Sequence, residues 1–222
     1  MDRFDVVVIG GGLVGSSTAM HLARRGVRSI AIVDVDLGGR YSSSELNAGG
    51  VRATWRTEVN VALARDSIDF FETVAAEIGF DQKGYLWLYD GAGWPAAQQA
   101  MEWQNRRFGL AVRALDAAGV RAYCPLLDQL DGVAGATLSP RDGLLNPNLL
   151  KEVYRARARA AAGELRLENY AHVVGIDAEG SGVTVRARRF HEFSPAGDEA
   201  VKAILCDDGG DAGDLVELRA DR

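Results

Sequence analysis

Three glycines near the start of the chain have a spacing that suits the binding of phosphate groups. Residues 10–15 read Gly-Gly-Gly-Leu-Val-Gly and match the pattern G-x-G-x-x-G. In this pattern Gly10 lets the chain turn sharply out of a strand, Gly12 leaves room for a pyrophosphate because it has no Cβ, and Gly15 lets a helix pack close to the sheet. We therefore predict a phosphate-binding turn here; the alternative is a strand–helix turn that binds no ligand.

The segments on either side of this turn predict a βαβ unit. Residues 4–9 form an apolar, β-branched run that is typical of a buried parallel strand, and residues 29–33 form a second such run. Between them, residues 13–25 have the composition of a helix. We expect the N–H groups that open this helix, at Leu13 and Val14, to face the phosphates, because they have no partner within the helix.

An acidic residue, Asp34, follows the second strand, about twenty residues after the glycines. A carboxylate at this place accepts hydrogen bonds from the adenosine ribose hydroxyls, and its charge disfavours a 2′-phosphate. The βαβ unit alone does not decide between FAD and NAD. The next segment, residues 41–52, is polar and rich in glycine instead of continuing with alternating helices and strands. That loop favours FAD.

Five segments together carry a resemblance to a known family. They read, in order, VVVIGGGLVGSSTAMHLARRG, IAIVDVD, SSELNAGGVR, KGYLWLY and DGLLNPNLLKEVYRARA. In these segments the chain resembles the D-amino-acid-oxidase-like FAD oxidoreductases, the group that includes glycine oxidase, sarcosine oxidase and dimethylglycine dehydrogenase. The resemblance implies an α/β fold: a Rossmann-like FAD-binding βαβ sheet with an inserted α+β portion of a substrate domain.

The resemblance also implies further cofactor contacts. The polar loop would wrap the FAD pyrophosphate and approach the isoalloxazine through Ser43, Ser44, Ala48, Gly49 and Gly50. Arg40 would lie near the phosphates, and Val173 would contact the adenine through its backbone. The family usually has Glu where this chain has Asp34, which implies the same role with a shorter reach. Some relatives attach FAD through a His or Cys in this loop; residues 40–52 contain neither, so we predict noncovalent FAD.

Three regions follow from this comparison. We assign residues 1–80 to FAD binding, residues 81–145 to the start of a substrate domain, and residues 146–222 to a return to the FAD-binding domain that includes a β-hairpin. Within the first region, residues 57–78 predict a long helix, with Val59 and Leu63 on its apolar face.

The end of the chain raises a question about partners. In the family, a strand like residues 215–219 leads to a further apolar strand with an Ala-x-Gly turn, and then to most of the substrate domain. The sequence stops at Arg222, so the chain is a fragment, one subunit of a split enzyme, or a degenerate binding protein. We favour a fragment or a subunit, because a parallel sheet that lacks a strand exposes an apolar edge whose unpaired backbone groups can pair with another chain. We therefore predict poor solubility or a required second polypeptide.

Composition excludes several classes of function. The net charge of −6 argues against nucleic-acid and anionic-membrane partners, which bind basic surfaces. Cys124 and Cys206 are far apart, and with three histidines they form no pattern of metal ligands, so we predict no metal site. No apolar stretch reaches the length of a signal peptide core or a membrane span, which predicts a cytoplasmic protein.

The chemistry implied by the resemblance is removal of a hydride from the carbon next to an amine, which gives an imine and reduced FAD. A small-molecule amine or amino acid is therefore the expected substrate; the alternatives are a 2-hydroxy acid or a non-catalytic FAD-binding subunit. We assign no catalytic residue. Arg52 faces the flavin or a substrate carboxylate, or forms a surface ion pair. Tyr85, Trp87 and Tyr89 alternate on one predicted strand, where they line a cavity or pack.

Overall fold

The chain divides into two compact units. A computed structural model describes residues 2–38, 42–180, 182–189 and 214–220. One unit, the discontinuous unit, comprises Met1–Asn47 and Pro147–Arg222, and the other, the inserted unit, comprises Ala48–Asn146. Arg40 and residues 190–213 lie outside the described residues.

A parallel sheet forms the centre of the discontinuous unit. Its strands are β2 (Val6–Ile9), β3 (Ser29–Val33) and β9 (Glu164–Glu168), in the order β2–β3–β9. Helix α1 (Leu13–Arg24) joins β2 to β3, and α6 (Pro147–Ala161) packs against α1. The last four residues of β3 are buried because β3 is the central strand. The predicted βαβ unit is confirmed.

A second sheet packs against the first within this unit. It consists of β1 (Asp2–Phe4), β10 (Ala171–Glu179), β11 (Gly182–Arg189) and β12 (Asp214–Ala220), in the order β1–β12–β11–β10. Strands β10 and β11 form the predicted antiparallel hairpin, and β1 runs parallel to β12. The buried core between the two sheets contains Phe4, Ala31, Val33, Ala171, Val185, Ala187 and Leu218.

The predicted single strand over residues 4–9 is divided at Asp5. The carboxylate of Asp5 accepts hydrogen bonds from the backbone N–H groups of Arg28 and Ser29, at 2.9 and 3.2 Å. These bonds bend the chain, so that β1 joins the second sheet and β2 joins the parallel sheet.

The strands of the inserted unit form two small sheets. Strands β5 (Tyr85–Tyr89), β6 (Arg113–Leu115) and β7 (Gly135–Ser139) pair antiparallel in the order β5–β7–β6. A second pair joins β4 (Gly50–Val51) to β8 (Gly143–Leu144). Together with helices, these sheets give this unit its α+β character.

Four helices lie in the inserted unit, all of whose residues the structure describes. They are α2 (Glu58–Thr73), α3 (Ala75–Ile78), α4 (Trp94–Phe108) and α5 (Ala117–Tyr123). The predicted helix over residues 57–78 is therefore broken at Val74. Among the helices of the described ranges, none has both the length and the apolar character needed to cross a bilayer.

The first boundary between the compact units lies between Asn47 and Ala48. Helix α2 buries Val61 and Ile68 in one cluster with Leu110 and Val112, and this packing places residues 48–80 in the inserted unit. The assignment of residues 1–80, 81–145 and 146–222 to cofactor and substrate domains stays a prediction.

Candidate cofactor site and aromatic pocket

The glycine turn between β2 and α1 is built so tightly that two of its glycines are required. Gly10 adopts φ +97°, a conformation that side chains disfavour, and its N–H donates to the carbonyl of Val33 at 2.8 Å. A Cβ on Gly15 would lie 1.8 Å from the carbonyl oxygen of Gly10. Helix α1 therefore begins directly against the end of β2, as the motif predicts.

Gly12, at the N-terminus of α1, lies close to the side chain of Ser44. A Cβ on Gly12 would make a tight contact of 3.2 Å with Ser44 Oγ and meet no other atom within 4 Å, and Gly12 itself has no side chain with which to cap the helix. The N–H of Leu13 donates to Ser44 Oγ at 3.0 Å, whereas those of Val14 and Gly15 have no acceptor among the described residues. Free N–H groups at the positive end of a helix dipole attract an anion.

Asp34 lies at the carboxyl end of β3, beside the turn. Its Oδ2 accepts the N–H of Gly11 at 2.5 Å, and its Oδ1 accepts the N–H of Asp36 at 2.8 Å. These two bonds fix the half-buried carboxylate. Since each carboxylate oxygen can accept two hydrogen bonds, acceptor capacity for a ligand hydroxyl remains.

The inserted unit contains a cavity of about 420 Å³. Its walls come from α4, from strands β5 and β7, and from the first turn of α2 with the loop before it. The residues around it are Arg52, Thr54, Trp55, Arg56, Thr57, Asn60, Trp87, Tyr89, Ala96, Ala97, Ala100, Met101, Gln104 and Thr137. This lining combines aromatic rings with two guanidinium groups, and it includes no acidic side chain within the described part of the chain.

Arg52 lies between two tryptophan rings of this cavity. Its guanidinium carbon is 4.2 Å from the ring centroid of Trp55 and 5.1 Å from that of Trp87. No acidic side chain of the described ranges forms an ion pair with Arg52. The sequence left the role of Arg52 and of the Tyr85–Tyr89 aromatic residues open; Trp87 and Tyr89 contribute to the cavity wall.

One polar atom of the cavity lining is buried without a partner. Trp87 Nε1 has no hydrogen-bond partner among the described residues, whereas the Thr54 hydroxyl interacts with the carboxyl of Asp142. A buried polar group is rarely left in this state, so Trp87 Nε1 suits a bound ligand or water. Gln104, also in the lining, is fixed by a hydrogen bond from its Nε2 to the carbonyl of Trp55 at 2.8 Å.

A buried carboxylate supports the segment that carries Arg52. Asp142 is 0% exposed, and its Oδ1 accepts the N–H of Ala53 at 2.9 Å. Burial raises the pKa of Asp142; the bond from Ala53, the hydroxyls of Ser139 and Thr54, and the charge of Arg52 lower it by less.

The glycine pair that follows the polar loop has a packing role in the inserted unit. Gly49 adopts φ +79°, and a Cβ there would lie 1.8 Å from the carbonyl oxygen of Leu145. A Cβ on Gly50 would lie 2.2 Å from Tyr85 Oη. Gly49 therefore requires glycine, whereas a side chain at position 50 would displace the end of the Tyr85 side chain. Ala48 precedes them and is exposed.

Comparison with known proteins decides the family. A family model described as FAD dependent oxidoreductase matches residues 5–217. The chain belongs to this family. The predicted resemblance is therefore confirmed, and the cofactor that the family implies is FAD.

Three relatives illustrate the likeness. A probable sarcosine oxidase of Arabidopsis thaliana is 30% identical over 54% of this chain and 29% of its own length. Sarcosine oxidase subunit beta of Arthrobacter sp is 24% identical over 82% of this chain and 46% of its own length. The crystal structure of L-proline dehydrogenase from P. horikoshii superimposes with a TM-score of 0.75 at 27% identity, over 84% of this chain and 49% of that one. The chain thus spans half or less of the length of these relatives.

The residues of the glycine turn are of the kind that would hold the pyrophosphate of FAD. The N–H groups of Val14 and Gly15 and the fixed carboxylate of Asp34 lie together in one unit. Ser44 also reaches the turn, whereas Ser43 is exposed in the same loop. Val173 lies on β10, partly buried against the core of the unit.

Two basic residues of α6 that the sequence analysis did not select also reach this region. Lys151 is buried, and its Nζ donates to the carbonyl of Gly38 at 3.2 Å. Arg155 is 5% exposed, and its Nη2 donates to the carbonyl of Gly11 at 2.5 Å. Their spacing of four residues on a predicted helix was the available signal, since it places both side chains on one face.

Proposed function

We propose that this chain binds FAD at the glycine turn and contributes to the oxidation of the C–N bond of an amine or amino acid. The observation that carries the proposal is the turn itself, where the N–H groups of Val14 and Gly15 without an acceptor among the described residues, the glycine at position 12 and the carboxylate of Asp34 lie in one segment. The names of the relatives, among them a sarcosine oxidase and a proline dehydrogenase, support the substrate class.

Each residue has a defined task in this proposal. The N–H groups of Val14 and Gly15 bind the pyrophosphate, and Asp34 accepts the ribose hydroxyls. The further contacts that the resemblance implies stay predictions: they involve Ser43, Ser44, Ala48, Gly49, Gly50, Val173 and Arg40, the last of which lies outside the described residues. Binding is noncovalent, since residues 40–52 contain no His or Cys. When bound, the flavin supplies the two-electron acceptor for the carbon next to the amine.

The cavity of the inserted unit supports a substrate that carries a carboxylate. Arg52 and Arg56 line it without an acidic neighbour in the lining, and Arg52 has no ion-pair partner among the described residues. A guanidinium held between aromatic rings presents its N–H edge to a carboxylate. An amino acid fits this cavity better than a simple amine does. A 2-hydroxy acid carries the same carboxylate and is the second candidate.

The experiment that tests cofactor binding uses the chain of 222 residues. We expect flavin absorption bands to remain with the protein after FAD is added and the mixture is passed over a gel-filtration column. Acid precipitation should then release the flavin into the supernatant, because no covalent bond holds it. A colourless protein after gel filtration would contradict binding by this chain, and flavin retained in the precipitate would contradict the noncovalent mode. Anaerobic addition of amino acids, amines and 2-hydroxy acids to the loaded protein, with bleaching of the flavin as the readout, distinguishes the substrate classes.

An unpaired strand edge supports a further polypeptide segment as partner. Strand β2 pairs only with β3 among the described residues, and Ile9 at its end is 48% exposed. Sarcosine oxidase subunit beta is by its name one subunit of an assembly. We propose that a strand from a second polypeptide or a longer chain pairs with β2. The cytoplasmic location stays a prediction.

The isolated chain is accordingly expected to self-associate. Light scattering coupled to size exclusion should show oligomers or aggregates for the wild type, and fewer for Ile9→Lys, because a charge at an open edge hinders strand pairing. Leu126→Lys is the matched control, since Leu126 is 91% exposed and lies outside the strands. A monodisperse wild-type chain that unfolds cooperatively would refute the open edge.

A further inference from the structure

Helix α6 places a buried guanidinium against the glycine turn. Arg155 donates from Nη2 to the carbonyl of Gly11 at 2.5 Å, from Nη1 to the carbonyl of Leu37 at 3.0 Å, and from Nε to Ser16 Oγ at 3.2 Å. The three acceptors belong to the turn, to the loop after β3 and to α1. One side chain therefore joins the three segments that surround the predicted phosphate site.

The charge of Arg155 is only weakly compensated. Its one carboxylate partner among the described residues is Glu152, at 2.8 Å, and the Glu152 side chain is 64% exposed, so solvent screens that ion pair. Arginine stays protonated throughout the working pH range. A buried cation with a solvated partner keeps a positive potential at the turn, because a buried charge is screened less than an exposed one.

Gly11 shows how closely this cation approaches the turn. A Cβ on Gly11 would lie 2.3 Å from Leu37 Cδ2 and 3.1 Å from Arg155 Nη2. The N–H of Gly11 donates to the carboxylate of Asp34, and its carbonyl accepts from Arg155. Gly11, which occupies a variable position of the motif, is thus held between the carboxylate of Asp34 and the guanidinium of Arg155.

We propose that Arg155 is a positioning residue for the cofactor pyrophosphate. It holds Gly11 and the start of α1 in one orientation, so that the free N–H groups point to one place, and it adds positive charge at that place. This inference rests on the proposed FAD site and adds to it a residue distant in sequence.

The test compares three variants of the full chain with the wild type: Arg155→Met, Arg155→Lys and Arg159→Met. Arg159 is exposed on the same helix, so Arg159→Met is a control with the same change of charge. FAD affinity is measured by titration at several salt concentrations. We expect Arg155→Met to raise the Kd by about tenfold or more, the effect of losing hydrogen bonds to a charged group. The Kd of Arg155→Met should also depend less on salt, whereas Arg155→Lys should keep the wild-type salt dependence.

Outcomes that overturn the proposal are distinct from failure of the proposed function. The proposal is overturned if Arg155→Met binds FAD with the Kd and the salt dependence of the wild type. It is also overturned if the Kd of Arg155→Lys depends on salt as weakly as that of Arg155→Met, because loss of a purely structural role would have that effect in both variants. If Arg155→Met does not fold, Arg155→Lys alone decides. A wild type that binds no FAD overturns the proposed function instead. In that case amide hydrogen exchange at Gly11 and Gly12 still tests the holding role: faster exchange in Arg155→Lys or Arg155→Met than in Arg159→Met supports it, and equal exchange refutes it.

Discussion

Gly15→Ala is expected to destabilise the discontinuous unit strongly and to weaken FAD binding. The new Cβ would lie 1.8 Å from the carbonyl oxygen of Gly10, 2.9 Å from its carbonyl carbon and 3.3 Å from Val8 Cγ1. Two of these atoms belong to the backbone, so no rotation of a side chain relieves the clash, and α1 must move away from β2. Ordinary overpacking costs about 1–3 kcal/mol. A backbone clash should cost more, a large part of a typical total stability of about 5–15 kcal/mol.

Gly12→Ala, in the same turn, tests the effect on ligand binding separately from the effect on stability. A Cβ on Gly12 would lie 3.2 Å from Ser44 Oγ, a tight contact with the end of a side chain that can shift by a few tenths of an ångström, so the fold should tolerate the substitution. The methyl group would project where the pyrophosphate is proposed to approach the backbone. Urea denaturation followed by circular dichroism should give a lower midpoint for Gly15→Ala and a nearly unchanged one for Gly12→Ala, with FAD binding weakened in both. Wild-type stability in Gly15→Ala would show that the turn is less tightly built than described.

Asp142→Ala is expected to destabilise the inserted unit, whereas Asp142→Asn should not. Alanine removes the acceptor of the Ala53 N–H at a site that is 0% exposed, and an unsatisfied buried donor costs about 1–3 kcal/mol. Asparagine keeps an acceptor oxygen for Ala53 and presents an amide to the hydroxyls of Ser139 and Thr54. It also removes the buried charge.

The pH dependence of unfolding separates the effect of removing the acceptor of the Ala53 N–H from the effect of removing the buried charge of Asp142. Burial raises the pKa of Asp142 in the folded state. Below about pH 4, where aspartate in the unfolded chain is protonated, both states are neutral at this residue and no stability is lost. As the pH rises above that value the unfolded state ionises first, so the free energy of unfolding falls until the folded carboxyl ionises too. Above the pKa that Asp142 has in the folded state, the loss in the free energy of unfolding is constant.

Asp142→Asn should therefore gain stability relative to the wild type as the pH rises from about 4 towards neutrality. Denaturant unfolding across this pH range measures the difference, with Asp142→Ala as the second variant. Equal stability differences at all pH values would mean that the Asp142 carboxyl titrates alike in both states.

Local patterns predicted the parts of the fold whose contacts are close in sequence. The G-x-G-x-x-G turn, Asp34 and the hairpin of β10 and β11 each depend on residues within about twenty positions of one another. The division of the first strand at Asp5 was not predictable in this way, because it arises from backbone N–H groups at Arg28 and Ser29.

Helix α2 shows a different limit. Its apolar residues Val59 and Leu63 recur at helical spacing, yet both are exposed, and Val61 and Ile68 occupy the core instead. Periodicity reports which residues share a face, and only the neighbouring elements decide which face is buried. The burial of Asp142 and of Arg155 was likewise unpredictable, since charged side chains are rarely placed inside without partners from distant segments.

The division of the discontinuous unit into two chain segments sets an order for folding during synthesis. Arg155 and the Gly11 carbonyl that it binds are separated by 144 residues. The first strands and α1 therefore leave the ribosome long before α6, while Ala48–Asn146 is continuous and can fold as it emerges. Closing so long a loop raises the contact order of the unit and slows its completion. Until α6 arrives, the nascent turn lacks its cation, and the newly made strands are open to chaperones and to one another.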